Sequence, residues 1–226
     1  TNPQGVVTTD QYYEIAVIEY TDLFHTDLTK PTVLRGYVQI DHYATNGLPA
    51  PMGWVTEAFA LTYPDGSPIM IAKTDAAGKI IKDGAGAPVM VQALSVDKPH
   101  YLGPVIAATR HIPTRVKFMN LLPAGRIEFD ANGVKDRHGD LFLPVDSMLM
   151  GAGFGPDGMT QYTQNRANVH LHGGDTPWIS DGTPHQWLTP AAEADPTRVT
   201  VDGAPLSLAA EFAQDPARDP ALLPEF

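Results

Sequence analysis

Residues 12–37 read YYEIAVIEYTDLFHTDLTKPTVLRGY, and the first nine of them are apolar, β-branched or aromatic apart from Glu14 and Glu19. Such side chains suit a pleated, half-buried surface, so residues 12–20 predict a β-strand. Residues 33–40 (VLRGYVQI) predict the next strand. Further along, residues 115–122 (RVKFMNLL) set Val116 and Phe118 on either side of Lys117, the period of two of a strand with one buried face.

The chain between these strands is heavily punctuated. Residues 41–99 contain LPAP, PDGSP, DAAGK and DGAGAP. There the apolar runs 69–72 and 89–94 flank Asp75-Ala76-Ala77-Gly78, which predicts a hairpin connection. Residues 41–99 as a whole predict an inserted hairpin layer. Residues 124–165 are Gly-rich, with loop segments at 130–133 and 151–158, and such a long stretch predicts a functional or partner-covering loop. Residues 191–226 predict a surface tail rich in Ala, Asp and Pro, with a short helix near 206–213. The pattern predicts no internal repeat and no coiled coil.

The bulk numbers agree with a β-rich protein. The 226 residues suffice for one large β domain or two small ones, and 20 Gly with 21 Pro favour short strands joined by turns. Hydrophobic residues at 43% and charged residues at 18% mark a globular chain. The net charge is −11, from 26 acidic and 15 dispersed basic residues, which argues against a nucleic acid or an anionic membrane as partner. No apolar run is long enough to span a bilayer. With no cysteine, disulfides, thiolate catalysis and thiolate metal sites within the chain are excluded. The start, Thr1-Asn2-Pro3-Gln4-Gly5, carries no signal-peptide pattern and reads as a processed terminus or an arbitrary first residue.

Of the eight histidines, only His170 and His172 stand at a ligand spacing, in Asn168-Val169-His170-Leu171-His172-Gly173-Gly174. On a strand, residues two apart share a face at about 6.6 Å, so two imidazoles can chelate one ion or serve two ions of a cluster. Gly173 and Gly174 remove bulk beside the pair and let the backbone turn sharply. On spacing alone, a copper or zinc pair and two ordinary histidines both remain open. His25, His42, His100, His111 and His138 have no partner pattern, and surface or satisfied histidine is the expectation for each. Met119, Met148, Met150 and Met159 form no dense methionine tract.

The surroundings carry a resemblance. Residues 170–187, HLHGGDTPWISDGTPHQW, resemble the first copper-binding motif of multicopper oxidases, in the bacterial group of spore-coat laccases and bilirubin oxidases. Residues 12–37, residues 102–123 (LGPVIAATRHIPTRVKFMNLLP) and residues 141–149 (LFLPVDSML) are similar to other segments of that group, in the same order. These stretches cover about two-fifths of the chain. The resemblance implies an all-β, cupredoxin-like Greek-key sandwich, incomplete in this chain, forming an N-terminal domain over 1–226. It implies copper, with His170 on a type 2 ion and His172 on a type 3 ion of a trinuclear cluster. Asp181, in Ser180-Asp181-Gly182, would orient water and relay protons during reduction of O2 to water; the plain alternative is a turn-forming Asp before Gly. His185 is expected to be a non-ligand. A secreted, periplasmic or cell-surface location is implied as well.

The departures matter equally. The family holds its cluster with four His-x-His pairs and its type 1 copper with a cysteine; this chain has one pair and no cysteine. A second chain or the C-terminal remainder of the same enzyme is therefore expected to complete the sites, with O2 and a phenol, pigment or metal ion as substrates. A nicked or split enzyme is the preferred expectation, since the tail resembles a nickable surface loop and a free fragment would expose unpaired strand edges. The rivals are a non-catalytic copper- or zinc-binding β module and a structural β-sandwich subunit.

Overall fold

Three strands organise the first half of the chain: β1 (Gln11–Asp22), β2 (Thr32–Gln39) and, much later, β7 (Thr114–Asn120). β1 lies in the centre, antiparallel to β2 and parallel to β7. The three strands sit where apolar, alternating composition places them. The parallel pairing does not follow from composition; it requires a long crossover, supplied here by residues 40–113. A computed structural model describes residues 11–54, 57–124, 139–146, 164–174, 181–182, 188 and 190, and the backbone alone of 195–199 and 205–206. These belong to two compact units, Thr1–Leu121 and Leu122–Phe226.

One face of the sheet carries the core. Ala16, Ile18 and Tyr20 of β1 and Val38 of β2 pack with Ile40, Leu61, Ile69 and Ala93. Each large aliphatic side chain so buried stabilises by roughly 1.5–3 kcal/mol. Glu14 and Glu19, which break the apolar pattern of β1, are also buried, and the strand register explains why. Glu19 lies opposite Arg35 on β2, whose Nε donates to its carboxylate at 3.0 Å. Glu14 lies opposite Lys117 on β7 at 3.5 Å and accepts the Tyr12 hydroxyl at 3.0 Å. A buried carboxylate is tolerated when paired and hydrogen-bonded. Burial, and then the Glu14 charge, push the Tyr12 phenol well above its ordinary value, which keeps it a donor.

The crossover begins with a short helix, α1 (His42–Asn46), which the sequence reading did not anticipate. Asp41 caps it by accepting the Ala44 N–H at 2.9 Å, and Gly47 ends it in the left-handed conformation. Next come β3 (Phe59–Ala60), β4 (Met70–Ala72), β5 (Met90–Gln92) and β6 (Leu94–Ser95), with β3 paired to β6 and β4 to β5. The apolar runs 69–72 and 89–94 do meet, as β4 and β5, but through two turns rather than one. Asp75–Gly78 closes a hairpin of its own, marked by the Thr74–Ile80 bridge, and a further turn follows at Asp83–Gly86.

Contrary to the expectation of no internal repeat, residues 61–73 (LTYPDGSPIMIAK) and 81–93 (IKDGAGAPVMVQA) are two copies of one unit. Their backbone bonds correspond one to one. Ile69 N–H donates to Leu61 O and Val89 to Ile81; Leu61 donates to Ala93 and Ile81 to Lys73; Ala93 donates to Ile69 and Lys73 to Val89. The Thr62–Pro68 bridge matches Lys82–Pro88. The two hairpins therefore interlock about a pseudo-twofold axis through the Ile71–Val91 pair. The layer of Leu61, Ile69 and Ala93 enters the core, whereas in the equivalent layer Ile81 stays exposed. Gly66 and Gly86, at matching turn positions, both have φ +85° with open space beside them. Alanine at either is expected to cost about 1–2 kcal/mol, equally at both, by chemical denaturation.

In the second unit the described backbone pairs β8 (Asp195–Val199) with β9 (Pro205–Leu206), inside the stretch expected to be tail. Ala167 and Leu188 form an isolated bridge. The helix expected near 206–213 falls outside the described residues apart from Leu206, which ends β9. The loops at 130–133 and 151–158 also lie outside them. Taken together the fold is all-β in small open sheets, an incomplete all-β sandwich, with one short helix among the described residues.

Candidate metal centre

Asn168 to Gly174 follow the Ala167–Leu188 bridge outside any named strand. Leu171 accepts the Gly174 N–H at 3.1 Å, closing a turn with His172 and Gly173 at its corners. Gly173 has φ +70°, the conformation that the third position of a type II turn demands. His172 is thus a corner residue rather than the next same-face residue of a regular strand. The two rings are nonetheless neighbours, with centroids 4.8 Å apart at 75°. The turn replaces the strand as the device that brings them together.

Asp181 lies against His170. The ring Nδ1 of His170 is 2.7 Å from the Asp181 backbone carbonyl oxygen and 2.8 Å from its carboxylate Oδ1. A carbonyl oxygen and a carboxylate only accept hydrogen bonds, so Nδ1 must carry the proton. In neutral imidazole that leaves the Nε2 lone pair free, which is the arrangement a metal-ligating histidine needs. Both rings are exposed. Two such imidazoles suit copper or zinc. They supply only two donors, and among the described residues no group of three or more His, Cys, Asp or Glu is placed to hold a metal. The pair would need further donors to close a metal site.

Asn168 belongs to the same motif but stands at no ligand spacing. Its Nδ2 donates to the Gly182 carbonyl oxygen at 2.9 Å. No spacing rule could have found this contact, because its partner is fourteen residues away across a turn. Ser180, His185 and the tryptophans at 178 and 187 lie outside the described residues, as do His138, Met148, Met150 and Met159. The remaining histidines form no ligand cluster among the described residues. His25 sits 3.6 Å from Asp27, and His100 3.7 Å from Asp97. His42 Nδ1 is 3.3 Å from Glu14, at angles that do not make a hydrogen bond, so the two are electrostatic neighbours.

No protein-family profile matches the chain, and no solved structure is significantly similar to it. A laccase from Bacillus stratosphericus is similar, with 36% identity over 92 residues. That segment is 41% of this chain and 14% of the laccase, so the match spans about a seventh of the relative's length. The likeness is partial, and it fits a cupredoxin-like fold for the strands described above.

Proposed function

We propose that this chain is part of a laccase-like multicopper oxidase and contributes one His-x-His pair, His170 and His172, to its trinuclear copper cluster. The observation that carries the reading is the His170–Asp181 contact, which frees Nε2 beside a second imidazole in a laccase-like chain. Copper, when bound, supplies the one-electron chemistry that links oxidation of a reducing substrate to four-electron reduction of O2 to water. The chain's own residues have simpler tasks. His170 and His172 hold metal through ring nitrogens; Asp181 keeps the His170 proton on Nδ1, away from the metal. The partial exposure of the Asp181 carboxylate also leaves it in reach of water, as a proton relay requires.

Two donors cannot make a stable site alone, so the reading requires the remaining polypeptide of the oxidase to supply the other ligands and the type 1 copper. No described helix is long and apolar enough to cross a membrane, and a location outside the cytoplasm belongs to the same proposal. The test is oxygen uptake with a phenol as reductant, on native protein purified from its source cells and analysed for copper. Copper-dependent uptake is expected. The 226-residue chain holding one metal ion tightly as a stable monomer, with no uptake in the native protein, favours the non-catalytic copper or zinc module instead.

A further inference from the structure

The segments 168–170 and 181–182 meet more closely than the single His170–Asp181 contact needs. Asn168 Nδ2 reaches the Gly182 carbonyl oxygen at 2.9 Å, while His170 Nδ1 reaches Asp181 one residue earlier. The two contacts form consecutive rungs between the same pair of segments. Gly182 has φ +72°, and a Cβ there would come 2.3 Å from Val169 O and 2.7 Å from Asn168 Oδ1. No side chain fits that gap without displacing backbone, so the approach depends on glycine.

We propose that Asn168 and Gly182 form a clasp that fixes the tautomer and ring direction of His170 before any metal arrives. They are positioning residues: neither would touch the metal, and both act through the place of the Asp181 carbonyl and carboxylate. The function assigned to this deepens the reading of His170 as a ligand and rests on it. The clasp itself rests only on contacts within residues 168–182.

The test is nitrogen-15 NMR of the imidazole nitrogens in the full, metal-free chain with its histidines neutral. His170 is assigned by the resonances lost in His170→Gln. In the unaltered chain, His170 is expected as the Nδ1–H tautomer; an Nε2–H tautomer there overturns the clasp without any variant being needed. Asn168→Asp keeps the size of the side chain but removes its donor. It is expected to shift His170 toward a mixed tautomer with the remaining amide spectrum unchanged, and to weaken copper(II) binding at His170 by about tenfold or more. Gly182→Ala, which must also displace the Val169 backbone, is expected to shift the His170 tautomer in the same direction. An unshifted His170 ring in folded Asn168→Asp would overturn the proposal. A clasped His170 whose resonances ignore added copper(II) in the native oxidase would leave the clasp standing and sink the ligand reading instead.

Discussion

Replacing His172 by alanine in the proposed oxidase is expected to abolish O2 reduction while substrate still reduces the type 1 copper at its normal rate. The expectation comes from the turn that makes His172 a corner residue beside His170, with ring centroids 4.8 Å apart. Among the described residues no group of three or more His, Cys, Asp or Glu is placed to hold a metal, so the loss leaves a single imidazole. Changes behind a ligand typically lower metal affinity or activity about 10–100-fold, and loss of the ligand itself should exceed that range. Stopped-flow absorbance separates the two half-reactions: single-turnover reduction of the type 1 copper by substrate, and its reoxidation by O2. A slowed first half-reaction would place His172 elsewhere in the electron path, and unchanged turnover would remove it from the site.

The largest loss of stability is expected from Gly139→Ala. Gly139 has φ +97°, and a Cβ there would lie 2.4 Å from Pro123 O and 2.6 Å from Asn165 Nδ2. Those two atoms are already joined, since Asn165 Nδ2 donates to Pro123 O at 2.8 Å, and Asn165 is fully buried. Alanine must therefore adopt a left-handed backbone and also separate a buried hydrogen-bonded pair. The combined cost is about 3 kcal/mol or more. Gly66→Ala supplies the control, because its φ is similarly positive but its surroundings are open. Urea unfolding of both variants isolates the effect of the crowding. Equal midpoints would show that residues 123, 139 and 165 do not pack as described.

The contrast between those two glycines marks what a sequence can reveal. A glycine in a turn is readable from its neighbours, as in Asp75-Ala76-Ala77-Gly78. One required by the approach of residues 123 and 165 is not. The three main strands were legible because their apolar, β-branched runs are local properties of the chain. The parallel pairing of β1 with β7 depends on a crossover of more than seventy residues, and no local pattern encodes it. Glu14 and Glu19 looked like interruptions because their partners, Lys117 and Arg35, stand on neighbouring strands. The paired hairpins are not legible in the sequence for a different reason. The copies share little beyond a glycine, a proline and the triplets Ile69-Met70-Ile71 and Val89-Met90-Val91, while the correspondence resides in backbone bonds.

At the candidate metal centre, the His-x-His spacing and the resemblance around it drew attention to His170, His172 and Asp181, and the fold brings these three residues together. Spacing misjudged the local geometry, since a glycine-driven turn rather than a regular strand sets the ring separation. The contribution of Asn168 was hidden, as its contact with Gly182 arises only once the intervening chain has folded back.

The claim that His170 and His172 form one pair of a copper cluster is tested most directly by anomalous diffraction at the copper absorption edge from crystals of the native, copper-loaded protein. Anomalous peaks within bonding distance of His170 Nε2 and of a ring nitrogen of His172 are the predicted result, with ligands from further polypeptide on the same ions. Copper-loaded crystals in which both imidazoles stand bare, with the metal bound elsewhere, would contradict the account.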